Sequence, residues 1–318
     1  MNKVAVGIDI GGTNTVFGLV GRDGEISREC CIKTTSFESP MLLAKSIYDT
    51  ITKDFQKKES DLAGIGIGAP NGNFFKGTIE HAPNLAWKGI VELKSIFEEC
   101  FHLPVYVNND ANLAALGEMV FGGAKGMQNF VSVTLGTGLG SGIVLNGELL
   151  YGHTGFAGEL GHTVAVPQGR QCGCGKHGCL EQYASVTGVQ ISVHELISSG
   201  HSNGLYKGVP ENEISGLFIT EAARKGDPVA LSAFDTAGKM LGMRLADLVA
   251  LINPEAIFLF GGLANAKELI LEPTKKYLYE FSSPIFQNSA TLKISELLQK
   301  NAAVLGAGAM VWHYEQKK

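Results

Sequence analysis

The sequence predicts a two-domain α/β protein, and three observations carry that prediction. At 318 residues the chain is too long for most single cores. Its first third opens with three strand-like segments and then alternates helical and strand patterns. A strand, glycine turn, strand unit at 4–20 returns in outline at 130–145. The expected division is 1–120 plus 301–318 as a smaller α/β domain and 121–300 as a larger one.

Composition narrows the function classes. A formal charge of −5, a pI near 5.9 and no long run of lysine or arginine leave no basic face for nucleic acid. No segment has eighteen uninterrupted apolar residues, and 1–10 is a strand-like run broken by Asp9 rather than a signal sequence, so no membrane partner and a cytoplasmic location are expected. In that reducing setting clustered cysteines point to metal rather than disulfides, while Cys30, Cys31 and Cys100 read as small core residues. Glycine, at 41 residues, is well above its usual share, so many turns must be tight or face a ligand.

In chain order, 4–10 ends in Asp9-Ile10-Gly11-Gly12-Thr13 and 15–20 resumes with β-branched and aromatic residues: strand, tight turn, strand. Gly21-Arg22-Asp23-Gly24 is a hairpin turn into a third strand, 25–33. The first turn offers backbone N–H groups at Gly11 and Gly12 and hydroxyls at Thr13 and Thr15, the donors a phosphate needs, with Asp9 beside them as a carboxylate suited to Mg²⁺. The same residues also satisfy a plain glycine hairpin. Leu43, Ile47, Ile51 and Phe55 mark a helix over 40–57, followed by a buried strand at 62–69, a polar loop at 73–84, a helix at 90–101 and a short strand at 105–108. At the mouth of that strand stands Asn108-Asn109-Asp110-Ala111-Asn112, then a helix to Phe121. Asp110 has two readings, helix N-cap or general base facing a cleft.

Gly122-Gly123-Ala124 reads as a linker. Beyond it come a strand at 130–135, a glycine turn at 136–142, a second strand at 143–145 and Asn146-Gly147 as a hairpin signal. Two such units, each with backbone donors and hydroxyls, suggest two lobes gripping one polyphosphate. Ser141 breaks the GxGxxG spacing, a strand follows where that motif demands a helix, and no GxxxxGK[ST] occurs, which argues against nicotinamide and P-loop enzymes. Later helices are expected at 180–186, 189–198 and up to 223, and Asp227-Pro228 opens a long one to 252. A strand at 256–260 ends in Gly261-Gly262, where a nucleotide's ribose or base can approach the backbone as a helix begins. A helix at 267–281, a strand at 291–294 and a helix at 302–315 complete the chain.

Three of the six cysteines fall within the stretch 162–181, HTVAVPQGRQCGCGKHGCLE. His162, Cys172, Cys174 and Cys179 supply the thiolate and imidazole set that zinc favours, with His153 and His177 close enough in sequence to stand in for His162. Four protein ligands close a tetrahedral site and leave no position for water, so the metal is expected to be structural and to hold Glu159, His162 and Glu181 in place.

Taken together, Asp9-Ile10-Gly11-Gly12-Thr13, Asn109-Asp110-Ala111-Asn112, the glycines of 136–142, Gly158-Glu159-Leu160-Gly161-His162, Cys172-Gly173-Cys174-Gly175, Gly178-Cys179-Leu180-Glu181 and Gly261-Gly262 resemble the ROK family of repressors, open reading frames and kinases over essentially the whole chain. Within that family the likeness is to the bacterial glucokinases. The resemblance implies an actin-like, ribonuclease-H-like (hexokinase-type) ATPase fold, its last helix crossing back to the first domain, with a cleft between the lobes that closes on sugar and ATP. It makes Asp110 the base that takes the proton of the sugar 6-hydroxyl. It places Asn84, Asn109, Glu159, His162 and Glu181 on the sugar, and Gly11, Gly12, Thr13, Gly136, Thr137 and Gly138 on phosphates. Gly261 and Gly262 would lie near adenosine, and Asp9 near Mg²⁺. It further implies structural Zn²⁺, a homodimer or larger homo-oligomer, and glucose as the sugar, with fructose, mannose, allose, N-acetylmannosamine or a non-catalytic sugar-responsive regulator as alternatives. Such regulators carry a helix-turn-helix ahead of the sugar-binding body, for which the position of Asp9 leaves no room. Two positions depart from the family pattern: Asn14 replaces a lysine common after GGT, and Pro70-Asn71-Gly72 replaces the commoner Pro-Gly.

Overall fold

The computed structural model describes residues 3–82, 84–201, 205–298 and 301–316. They form two compact units, Met1–Met127 with Leu149–Ala157 and Glu296–Lys318, and Gln128–Glu148 with Gly158–Ser295.

In the first unit, β1 (Val4–Ile10), β2 (Asn14–Val20) and β3 (Ile26–Lys33) form an antiparallel meander. After α1 (Pro40–Asp49), β4 (Leu62–Gly68) joins β1 in parallel. A small sheet of β5 (Gly72–Asn73), β6 (Thr78–Glu80) and β7 (Ile90–Val91) follows, then α2 (Leu93–Phe101), β8 (Val105–Asn108) beside β4, and α3 (Asp110–Phe121). The main sheet order is β3-β2-β1-β4-β8. Because side chains alternate across a strand, Val6, Ile8 and Ile10 of β1 enter a core with Leu43, Ile47, Phe97 and Phe101 from α1 and α2. Ala5 faces the other way, into a cluster with Val304, Leu305 and Trp312 of α8 (Ala302–Glu315). The last helix thus returns to the first unit. Glycine makes that packing close: a Cβ on Gly66 would lie 1.9 Å from the carbonyl oxygen of Ala307, and one on Gly7 2.1 Å from that of Val304.

The second unit repeats this plan. Its elements are β9 (Phe130–Leu135), β10 (Leu139–Leu145), β11 (Glu148–Leu149, of which Leu149 is counted with the first unit), α4 (Val186–Ser198), α5 (Gly216–Arg224), α6 (Pro228–Ile252), β12 (Ala256–Phe260), α7 (Glu268–Phe281) and β13 (Thr291–Ile294). Its sheet order, β11-β10-β9-β12-β13, matches that of the first sheet strand for strand, an antiparallel trio extended by two parallel strands. α6 starts where Asp227 accepts from the Ala230 N–H with Pro228 at the first position, and it stops at left-handed Asn253.

Several expectations need correction. The helix expected over 40–57 ends at Asp49 in a π turn, Thr50–Asp54. The polar loop at 73–84 contains a hairpin, and Ile90–Val91 pairs with it instead of starting α2. β10 begins at Leu139, so the second glycine turn shrinks to 136–138. Residues 180–186 hold only the short 3-10 turn Leu180–Gln182 before α4. Cys31 is exposed on the edge strand β3 rather than part of the core, and Cys30 and Cys100 are half-buried against it. The unit boundary falls at Met127 and Glu296, and 149–157 lies in the first unit. The linker glycines are bound there by Glu118, whose carboxylate accepts from Gly123 N and whose carbonyl accepts from Gly122 N and Ala124 N. Residues 149–157 are bound there through Asn73, which donates to Thr154 O, and through the Tyr151 hydroxyl.

Candidate active site

Asp110 is the first helical residue of α3, and the cap is its neighbour: Asn109 Oδ1 accepts from Asn112 N at 2.7 Å. The N-cap position is therefore filled by Asn109, and the Asp110 carboxylate accepts from Ala111 N at 2.9 Å. Asp110 is exposed at its surface, yet desolvation by the surrounding protein pushes its carboxyl above the usual carboxylate range, partly offset by the backbone N–H groups of the helix start. Asp9, at the end of β1, is pushed up to about 6 by burial and, next, by the charge of Asp110. A carboxylate raised by burial and by a second carboxylate's charge makes a place where a proton or a cation is welcome.

The glycine turn beside them, at 11–13, is tighter than expected. Gly11 N donates to Asn14 O at 2.9 Å, so that amide closes the turn itself. Thr15 is fully buried and its hydroxyl is bonded to that of Thr34 at 2.8 Å, which removes it from any phosphate. Thr13 remains exposed. A Cβ on Gly12 would lie 2.4 Å from Asn84 O, so only glycine lets the exposed Asn84 loop rest on the turn. Asn71 takes a φ of 54°, a region Asn tolerates nearly as glycine does, which accounts for Pro70-Asn71-Gly72 where glycine is common.

In the second unit the turn at 136–138 is closed by Gly136 N on Gly138 O at 3.0 Å, with Thr137 exposed at its tip. Gly136 O accepts from Val186 N, tying the turn to the start of α4. A Cβ on Gly138 would lie 2.2 Å from Glu181 Oε2, the oxygen that accepts from Leu139 N at 3.0 Å. Glu181 Oε1 lies 3.8 Å from Cys172 Sγ, so this carboxylate stands between the turn and the cysteine cluster. Glu159 is exposed after Gly158, just before the 3-10 turn Leu160–His162, which is pressed onto β10 where a Cβ on Gly161 would meet Leu139 O at 2.1 Å. Gly261 has a φ of 98° and lies against the backbone of Leu135, while Gly262 opens a 3-10 turn, Leu263–Ala266, rather than α7 itself.

His162, Cys172, Cys174 and Cys179 come together, with their ligand atoms all within 4.8 Å of one another. Cys172 Sγ is 3.8 Å from His162 Nδ1 and Cys174 Sγ is 3.6 Å from Cys179 Sγ, close to the roughly 3.5–3.8 Å edges of a tetrahedron with zinc-like bond lengths. Nδ1 is the imidazole nitrogen facing the thiols, and His177 instead turns Nδ1 to Gly169 O at 3.2 Å. Arg170, which the sequence did not single out, fastens this loop to α4. Its guanidinium donates to Gln182 O, Gly188 O, Ser192 Oγ and Glu195, and lies 4.4 Å over the Tyr183 ring. A second group absent from the sequence reading is the Asn108–Tyr151 pair behind α3, bonded at 3.0 Å; 43 residues separate them, and no local signal joins them.

The ROK family model matches residues 5–314. A glucokinase of Halalkalibacterium halodurans is 37% identical over 318 residues, 98% of this chain and 95% of that one. A ROK family glucokinase from Streptomyces griseus, solved in complex with glucose and AMPPNP, matches with a TM-score of 0.81 at 34% identity, covering 98% of this chain and 99% of that one. A xylose repressor of Caldicellulosiruptor bescii is 33% identical over 311 residues, 96% of this chain and 77% of that protein.

Proposed function

This chain belongs to the ROK family and has the actin-like fold of its hexokinases, and from that premise we propose that it phosphorylates glucose at the 6-hydroxyl with ATP. The observation that carries the reading is Asp110, a poorly solvated carboxylate at the start of α3 that Asn109 has relieved of capping. A base must be ionised to accept a proton and hold it once taken, and a carboxyl raised above the ordinary carboxylate range holds that proton better than a free one does. Asp110 takes the proton of the 6-hydroxyl as that oxygen bonds to the γ-phosphorus. The bond to the bridging oxygen breaks, its electron pair leaves with ADP, and the product is the sugar 6-phosphate. Phosphoryl transfer asks little covalent chemistry of the protein, so alignment and charge stabilisation suffice.

Asn84, Asn109, Glu159, His162 and Glu181 hold the sugar. Asn109 contributes its Nδ2, since Oδ1 caps the helix, and His162 contributes Nε2, since Nδ1 faces the thiols. Gly12, Thr13, Gly136, Thr137 and Gly138 line the phosphates with Gly11 shaping the first turn, and Gly261 and Gly262 adjoin adenosine. Asp9, short of positive charge, suits the Mg²⁺ that accompanies the nucleotide. Zinc fits the Cys3His cluster; bound there, it supplies rigidity and no open coordination position. The same reading includes a cytoplasmic homodimer or larger homo-oligomer, for which light scattering gives the mass.

Glucose, mannose, fructose, allose and N-acetylmannosamine offered with Mg-ATP in a coupled ADP assay test the proposal. Glucose giving the highest kcat/KM supports it, another sugar leading would reassign the substrate, and no ADP above the no-sugar control would overturn it. The xylose-repressor likeness motivates a regulator as second reading, which sugar-sensitive retention on promoter DNA would favour.

A further inference from the structure

Behind α3 lies a hydrogen-bonded chain running through Asn108, Tyr151 and Tyr314. Asn108, the last residue of β8, is 1% exposed. Its Oδ1 accepts from Asn109 N at 3.0 Å and from Asn112 Nδ2 at 2.9 Å, bracketing Asp110 from both sides in sequence. Its Nδ2 donates to the Tyr151 hydroxyl at 3.0 Å, and that hydroxyl shares a hydrogen bond with the Tyr314 hydroxyl at 3.0 Å. Tyr151 is itself held by its ring, stacked on Phe74 at 4.5 Å and 7°, and Phe74 stacks in turn on Tyr314. Asn108 O accepts from Ala69 N at 3.0 Å, so the backbone at this point is fastened as well.

We propose that Tyr151 is a positioning residue for the Asp110 base, acting through Asn108. A carboxamide can lie either way round, and only one way presents oxygen to both Asn109 N–H and Asn112 Nδ2. The Tyr151 hydroxyl gives Asn108 Nδ2 a partner in that orientation, and it comes from the segment 149–157 rather than from β8 or α3 themselves. Without it a buried N–H loses its acceptor, and the β8–α3 junction gains freedom where the reacting carboxylate is mounted. Proton transfer is sensitive to shifts well under an ångström, so the chemical step suffers before binding does. The inference rests on the reading of Asp110 as the base.

Tyr151→Phe tests it, because the ring and its stack on Phe74 stay while only the hydroxyl goes. The expected result is a kcat lower by about tenfold, a KM for glucose changed less than about twofold, one sugar still bound per chain, and faster hydrogen exchange in the segment 105–116. Wild-type kcat, a rate loss matched by lost sugar-binding stoichiometry, or unchanged exchange would each overturn it. Asn108→Ala breaks the same link from its other end and is read in the same way should Tyr151→Phe fold poorly. Asp110→Asn, run in parallel, separates the two ideas. If it turns over near normally, the base reading fails. If it is inactive while Tyr151→Phe is normal, only the positioning role fails. The exchange measurement needs no turnover, so it decides the link even for a chain that phosphorylates nothing.

Discussion

Asp9 titrates near 6 when folded and near 3.8 when unfolded, so between those values the folded chain holds the extra proton and rising pH favours unfolding. Asp9→Asn removes this cost. In urea titrations without nucleotide or Mg²⁺, its stability relative to the parent should grow from about pH 4 to pH 7 by up to about 3 kcal/mol; a difference that does not change with pH would remove burial as the cause. With Asp110 as the proposed base, its raised carboxyl should set the acid limb of the rate: kcat/KM should fall as pH drops through a value above the ordinary carboxylate range. Asp110→Asn should abolish that limb and lower kcat by roughly 10²–10⁴ while calorimetry shows sugar affinity largely kept. Near-normal turnover would remove Asp110 from the mechanism. Asp110 stands out from its neighbours in sequence as a candidate base, whereas its release from capping is not legible there, because Asn109 and Asp110 are chemically equal candidates for the cap until the backbone turns.

At the scale of elements, the cysteine loop has two independent fasteners, the Cys3His cluster and the Arg170 guanidinium. Cys174→Ser should lose bound metal by elemental measurement and weaken sugar binding, because Glu181 and His162 both lean on the cluster. Wild-type metal content would sink the assignment. Where α8 lies on β4, Gly66→Ala asks a methyl to share space with the Ala307 carbonyl at 1.9 Å, and a loss of more than about 3 kcal/mol or failure to fold is expected in thermal or urea melts. The start of α6 is legible in Asp227-Pro228, since an N-cap is local chemistry. Ile90–Val91 misleads because its apolar pattern suits a helix, and only its pairing with Ile79 and Glu80 makes it a strand.

For the whole molecule, the two sheets share one strand order, and each unit contributes a glycine turn between its first two strands. Asp110, the proposed base, and Asp9 lie in one unit and the Cys3His cluster in the other. Stripping metal with a chelator should therefore abolish sugar affinity while leaving the hydrogen-exchange protection of α3 intact; loss of protection across both units would show instead that the cluster holds the entire fold. Residue types at short spacing were enough to mark the three clustered cysteines with a nearby histidine, the two glycine turns, the Asn109-Asp110 junction and the coarse strand-turn-strand repeat, while the choice of His162 over His153 or His177 waited for the fold. Only the tertiary structure decided that Thr15 spends its hydroxyl on Thr34, that Glu181 binds Leu139 N, and that Tyr151 steadies Asn108. Those bonds join groups far apart in the chain, and a hydrogen-bonding group's partner is set by whatever packing brings beside it.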